Sequence, residues 1–357
     1  MAYTNIDDPS AFFNTITYTH AVTPDDRVFT FDGNSDLQPD FSWIKRRDAA
    51  AYHILQDSSR GVTKYLNSDS TSVEETYSNY LKSFNTNGLT IGGGDTATNQ
   101  GSGGTGVIWA WKCNGGSVTT VGESGSNPGF TRQTNTDAGF SIIAYTGTGS
   151  NGTIAHGLPS TPELIIFKRR NADQVWATWH QGIGDDYKLV LNSTDAKDAD
   201  GAFMNSTLPT SSNITVGGAS VNTNADGGTY ICYAFSPIQG YSKFGKYVGN
   251  GNASGPFVYT GFKPAFVMVK CATAAASEWQ IYDHKRPGYN FPNYNLSPNN
   301  TTAEYTGESY HNMDILSNGF KALLTDVAVN KAGETYTYMA FAEHPFVTST
   351  GIPTTAR

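Results

Sequence analysis

Pro39-Asp-Phe-Ser-Trp-Ile-Lys45, Pro162-Glu-Leu-Ile-Ile-Phe-Lys168 and Pro264-Ala-Phe-Val-Met-Val-Lys270 are three versions of one phrase: a proline, five mostly apolar residues, then lysine. They align without gaps at offsets of 123 and 102 residues. A second trio lies downstream: Thr105-Gly-Val-Ile-Trp-Ala-Trp111, Thr229-Tyr-Ile-Cys-Tyr-Ala-Phe235 and Thr335-Tyr-Thr-Tyr-Met-Ala-Phe341. Its offsets are 124 and 106, so two independent signatures keep nearly the same spacing. That pattern marks an internal threefold repeat.

Other marks agree. Tyr145 and Tyr247 each stand 17 residues before the proline of their repeat. Trp176 and Trp279 follow at comparable distances, with Tyr52 as the expected first-repeat counterpart. Asn87-Gly88 and Asn318-Gly319 precede short apolar runs, and Ser212-Asn213 takes that place in the second repeat.

Each repeat consists of short runs of Val, Ile, Tyr, Phe and Trp separated by Gly, Asn, Asp or Pro, which predicts strands joined by turns. The prolines stand where strands begin and a missing N–H costs nothing. Leu164 to Phe167 is apolar throughout, as expected of a strand buried on both faces. The fold class expected is all-β: three tandem antiparallel β-sandwich, jelly-roll-like repeats. The expected division is an N-terminal docking segment 1–12, repeats at 13–125, 126–240 and 241–350, and a C-terminal tail 351–357. Gly115 to Arg132 reads as a linker, whereas Tyr241 and Phe244 suggest a packed second junction. Whether the repeats are separate domains or share a core is left open at this level.

Composition agrees with strands. Of 357 residues, 38 are Gly, 13% are aromatic and only 15% are charged, far from a helical composition. The net charge of −8 argues against nucleic acid as the main partner. No apolar run approaches the ~20 residues of a membrane helix, and no basic–apolar leader opens the chain, so neither membrane insertion nor secretion is expected. Cys113, Cys232 and Cys271 lack metal or disulfide spacing, and Cys232 reads as a small core residue.

Chemistry-bearing motifs are weak. Gly101-Ser-Gly-Gly-Thr-Gly106 and Gly147-Thr-Gly-Ser-Asn-Gly152 match GxGxxG, but neither opens a helical pattern, so turns are expected. His20, His53, His156, His180, His284, His311 and His344 lack ligand spacing, and no metal or cofactor is expected. The acidic pairs Asp7-Asp8, Asp25-Asp26 and Asp185-Asp186 would point to opposite faces of a strand. No GxSxG elbow occurs, and no catalytic residue is assigned. Lys45-Arg46-Arg47 and Lys168-Arg169-Arg170 read as solvated turns at strand exits, and His284-Lys285-Arg286 as a surface basic spot. The candidate ligand-binding residues are Tyr289 and Tyr294, in a Pro/Asn-rich loop, with Trp176 and Trp279. Aromatic rings there, Trp179 included, offer faces for sugar stacking, although the recurrence of Trp176 and Trp279 also suits core packing.

Several stretches carry a wider resemblance. They include Tyr3-Thr-Asn-Ile-Asp-Asp-Pro9, Arg60-Gly-Val-Thr63, Gly139-Phe-Ser-Ile-Ile-Ala-Tyr-Thr-Gly-Thr-Gly149 and Ala155-His-Gly-Leu158. More specific are Gly240-Tyr-Ser-Lys-Phe-Gly245, Phe257-Val-Tyr-Thr-Gly-Phe262, Leu316-Ser-Asn-Gly-Phe320, Tyr338-Met-Ala-Phe-Ala-Glu343 and Pro353-Thr-Thr-Ala-Arg357. Over nearly the whole chain the sequence resembles repeat-containing virion proteins of marine bacteriophages, especially those infecting cyanobacteria. The resemblance implies a non-enzymatic structural protein located in the virion and assembled in the host bacterial cytoplasm. A tail fibre or spike-type component active in host-surface adhesion is the first expectation, and capsid decoration the alternative. Expected partners are other virion proteins, copies of itself in a homotrimer, and a glycan or protein of the host surface. Three units in a row suggest an elongated rod.

Overall fold

A computed structural model describes residues 3–23, 25–99, 101, 103–287, 290, 294–307 and 312–354. Among these the chain is all-β, with several antiparallel sheets and one short 3-10 turn, Pro9–Ala11. No helix among the described residues is long and apolar enough to cross a membrane.

The quoted phrases occupy matching places. The Pro-run strands are Phe41–Arg46, Leu164–Arg169 and Phe262–Cys271. Each pairs with a closing strand: Thr105–Trp111, Thr229–Phe235 or Thr335–Pro345. The closing strand pairs on its other side with an entry strand, Phe13–Thr19, Phe140–Thr146 or Ser242–Val248. The Pro-run strand pairs outward with Ile54–Asp57, Ala177–His180 or Gln280–Asp283. Against the outer face of each large sheet lies a small one. These are Arg27–Phe29, Gly88–Ile91 and Leu81–Asn85; Gly152–Ala155 and Asn213–Val216; and Ser254–Tyr259, Gly319–Leu323 and Met313–Leu316. We call the three groups the first, second and third blocks.

Alternation along the closing strands decides what packs where. Val107, Trp109 and Trp111 face one way, into the largest apolar cluster, while Ile108 and Ala110 face the first block's small sheet. In the third block Met339 and Phe341 join the large cluster, and Tyr336, Tyr338, Ala340 and Ala342 face outward. The second block adds Tyr233 and Phe235 to the same cluster. Rings meet across every pair of blocks: Trp111–Phe341 at 5.7 Å, Phe235–Phe341 at 5.8 Å and Phe41–Tyr233 at 4.7 Å between centroids. Each such buried ring contributes roughly 1.5–3 kcal/mol by leaving water. The blocks therefore share one central core.

The order of contacts closes on itself. The Thr71 carbonyl of the first block accepts from Lys168 Nζ and Gln174 N–H of the second, at 2.7 and 3.0 Å. Thr194 of the second accepts from Lys270 Nζ and Ser277 N–H of the third, at 3.2 and 3.1 Å. Thr301 of the third accepts from Lys45 Nζ and Ala51 N–H of the first, at 3.1 and 2.9 Å. A reciprocal bond follows at each junction, from Glu74 N–H to Arg170 O, Lys197 N–H to Ala272 O and Glu304 N–H to Arg47 O. The result is a ring, not the elongated row expected from sequence.

Several expectations change in detail. Pro39 and Pro162 precede their strands, but Pro264 lies inside Phe262–Cys271, at a register shift that spares its missing N–H a ladder bond. The linker is shorter than Gly115 to Arg132: Thr119–Val121 and Phe130–Asn135 are paired strands that extend the second block's sheet. Tyr52 is 53% exposed, and His53 takes the place of Trp176 and Trp279. The equivalence is marked by the N–H groups of His53, Trp176 and Trp279, which donate to the side chains of Asp69, Asn192 and Asn299. From residue 3 the N-terminal segment is packed onto the ring. Tyr3 Oη donates to Gly261 O, Ile6 is buried in the central core, and Asp7 accepts from Ser349. The tail turns back where Val347 pairs with Pro353. Tyr241 and Phe244 are buried, as expected of a packed second junction. Both GxGxxG stretches run into strands.

Candidate ligand cleft

Nine charged side chains are buried among the described residues, and they sit mainly where blocks meet. Lys45, Lys168 and Lys270 are fully buried, not part of solvated turns. Each ammonium bridges its own loop and the neighbouring block: beyond the threonine carbonyls, it donates to Ala51, Gln174 or Ser277 O at 2.6–2.8 Å. Burial pushes all three down to about 8.

Arg286 likewise leaves the expected surface spot. It is buried against Asp283 at 2.6 Å and Glu304 at 2.9 Å, and Glu304 also pairs with Arg47 at 2.7 Å. Trp109 Nε1 donates to Asp283 at 2.9 Å. Burial raises the Asp283 carboxyl, but Arg286 more than offsets this and holds it below its ordinary value. The first–second junction repeats the arrangement with Asp57, Arg60, Glu74 and Arg170, where Tyr233 Oη donates to Asp57 at 2.7 Å. These carboxylates are strut ends, fully engaged by guanidinium groups.

Trp176 and Trp279 are 0% and 3% exposed, so neither presents a ring face to a ligand. Their indole N–H groups donate across junctions, to Asn67 O at 2.8 Å and Val190 O at 3.0 Å. Trp179 is buried too and donates to Gly184 O. Tyr294 is half-buried. Tyr289 and His311 lie outside the described residues. The structure thus brings none of the described candidates to an open surface site.

An open site exists elsewhere. A cleft of about 240 Å³ lies where the first and third blocks meet the N-terminal segment. Asp8 caps the Pro9–Ala11 turn by accepting from Ser10 N–H at 3.1 Å. It also accepts from Ser10 Oγ at 2.5 Å and Ser35 Oγ at 2.6 Å, and Ser10 Oγ accepts from Asn34 N–H at 3.1 Å. One wall is fixed in this way. The opposite wall comes from the third block: Ala265, His284, Ala342, Glu343 and His344. Lys285 Nζ reaches Asp32 at 2.7 Å across the gap. Burial raises the Glu343 carboxyl, while His284 and Lys263, the latter at 2.7 Å, lower it further. Glu343 therefore carries charge at neutral pH.

A separate apolar feature marks the third block. Phe257 and Tyr259 are each 47% exposed on the outer face of Ser254–Tyr259. Tyr3 Oη stands 3.4 Å from Tyr259 Oη. The corresponding outer positions hold Val28 and Thr30 in the first block and Thr153 and Ala155 in the second. Sequence reasoning passed over both places. The Phe–Val–Tyr alternation at 257–259 was the available signal for the patch. The cleft had none, because its walls come from opposite ends of the chain.

A family described as a domain of unknown function (DUF7483) matches residues 8–345. No curated protein and no solved structure matches the chain.

Proposed function

From a chain that belongs to the DUF7483 family across its whole ring, we propose a non-enzymatic structural protein of a bacteriophage particle, of the tail fibre or spike type, that takes part in adhesion to the host surface. We also propose that its three blocks are tandem copies of one jelly-roll-like sandwich. The observation that carries the reading is the use of ionisable groups as struts: lysines, arginines and carboxylates are consumed in closing a ring. Such a rigid body suits particle architecture. The resemblance to virion proteins supplies the setting, and the patch of Phe257 and Tyr259, held on one block alone, supplies a surface for contact. The partners in this reading are other virion proteins and a host-surface glycan or protein. The homotrimer of the sequence reading would join three such rings.

Capsid decoration is the second reading. It is favoured by the N-terminal segment, which packs on the third block and leaves residues 3–11 no freedom to reach into a fibre. Gold-labelled antibody against the chain, viewed on intact particles by electron microscopy, separates the two. Label at the tail supports adhesion. Label over the capsid sinks it in favour of decoration. Particles without label sink both.

A further inference from the structure

We infer that the cleft between the first and third blocks is a binding site for a neutral, hydroxyl-rich ligand, a saccharide unit. The inference rests on the adhesion reading and names what the site would hold.

Asn14 is the first reason. It is only 7% exposed, and its Oδ1 accepts from Thr15 N–H at 2.8 Å. Its amide NH2 has no partner among the described residues and faces the cleft. The side chain is held in place by its buried surroundings while the NH2 stays open to the cleft, so a ligand acceptor can meet a fixed donor there without an ordering cost. Gly33 is the second. A Cβ at that position would stand 2.4 Å from Ser10 Oγ and 3.2 Å from Asn14 Nδ2. The absence of a side chain keeps the wall thin where Asn14 opens.

Charge selects the ligand class. Asp8, Asp32 and Glu343 line the cleft together with His284 and His344; Lys285 is paired with Asp32 and Lys263 with Glu343, which leaves Asp8 as the excess charge when the histidines are neutral. A phosphate, sulfate or acidic sugar would meet net repulsion. Hydroxyls suit the place instead: they donate to the Glu343 carboxylate and accept from the amides of Asn14 and Asn34. The volume lies below the ~300–1,000 Å³ of sites for drug-sized ligands, which fits one ring, not an extended chain. Because Asp8, Ser10, Ser35 and Asn34 hold one another, the site is formed before the ligand arrives, and little ordering cost is left to binding.

The test is saturation-transfer NMR on the full chain. The probes are glucose, galactose, mannose, N-acetylglucosamine and lactose at millimolar concentration, with glucose 6-phosphate as the anionic control. Transfer to at least one neutral sugar is expected, and none to the phosphate. Asn34→Ala and Glu343→Gln each alter a wall residue outside the core and should weaken the signal about tenfold at an unchanged melting temperature. No transfer to any neutral sugar overturns the inference, and so does transfer that survives both substitutions. Preference for the phosphate overturns the ligand class. None of these outcomes touches the location of the protein on particles, so failure here leaves the adhesion reading to be judged by the labelling experiment.

Discussion

The first–second and third–first junctions are ionic at their centres; the second–third junction is apolar. Where Asp57, Arg60 and Glu74 stand in the first block and Asp283, Arg286 and Glu304 in the third, the second block has His180, Ile183 and Lys197. His180 Nε2 meets Tyr338 O at 3.1 Å, and Ile183 is buried in the common core. Yet all three junctions keep the same lysine bridge and the same pair of backbone bonds. The comparison separates what the geometry requires from what fills it. Backbone carbonyls that face a neighbour need a donor, and the lysine meets that need in every case. The ion clusters are one of two ways to fill the remaining space, in keeping with the near-equivalence of buried ion networks and well-packed apolar groups.

The largest test removes a junction partner altogether. Deleting Ser242 to Phe346 strips Phe266, Met268, Met339 and Phe341 from the common core and leaves two inner faces wet. We expect a fragment that aggregates or lacks a cooperative melt, judged by gel filtration and calorimetry. A soluble, cooperatively unfolding fragment would mean that the blocks are independent.

Next is Arg286→Met. It leaves Asp283 and Glu304 buried with one guanidinium fewer and should cost ~3–5 kcal/mol in chemical denaturation. A cost below about 1 kcal/mol would show that the ionic junctions are no more demanding than the apolar one. Lys45→Met, Lys168→Met and Lys270→Met form a matched set. Each leaves two carbonyls without their ammonium donor, at about 1–3 kcal/mol. Similar costs at all three would confirm the bridge as the shared element; one silent member would break the equivalence.

A further effect is in pH. Burial holds His180 down to about 4, against an ordinary value near 6.5. The unfolded chain then binds a proton between about pH 6.5 and 4 that the folded chain does not, so stability falls with falling pH across that window, by at most about 1.4 kcal/mol per pH unit. His180→Gln should flatten this part of the melting-temperature profile. Asp283, held low, acts in the same direction but only below its ordinary value of 3.8. His53, buried beside Lys45 at the junction of the third and first blocks, is held well below its ordinary value as well, first by burial, so that junction loses stability in mild acid in the same direction. An identical profile in the variant would remove His180 from the account.

These contrasts show what was legible beforehand. The repeated phrases located the strands that make the sheets, because alternation and turn residues are local properties. Leu164 to Phe167 is buried on both faces as its composition predicts. Ring closure was not legible. Lys45 and Thr301 are far apart in sequence, and a lysine at a strand end looks the same whether it meets water or a neighbour's carbonyl. Trp176 and Trp279 show the same ambiguity, since recurrence fits packing and exposure alike until their indole partners are known. Tyr52 missed by a single residue, and in a strand one residue exchanges the buried face for the exposed one.

The Asp7 carboxylate accepts from both the N–H and the hydroxyl of Ser349, which sets the two ends of the described chain side by side. Of three like junctions, then, two are spanned by continuous chain and one is closed by contact alone. A circular permutant that joins the present ends by a short flexible bridge, and opens the exposed turn near Gly122, would keep every junction while moving the unspanned one to the boundary of the first and second blocks.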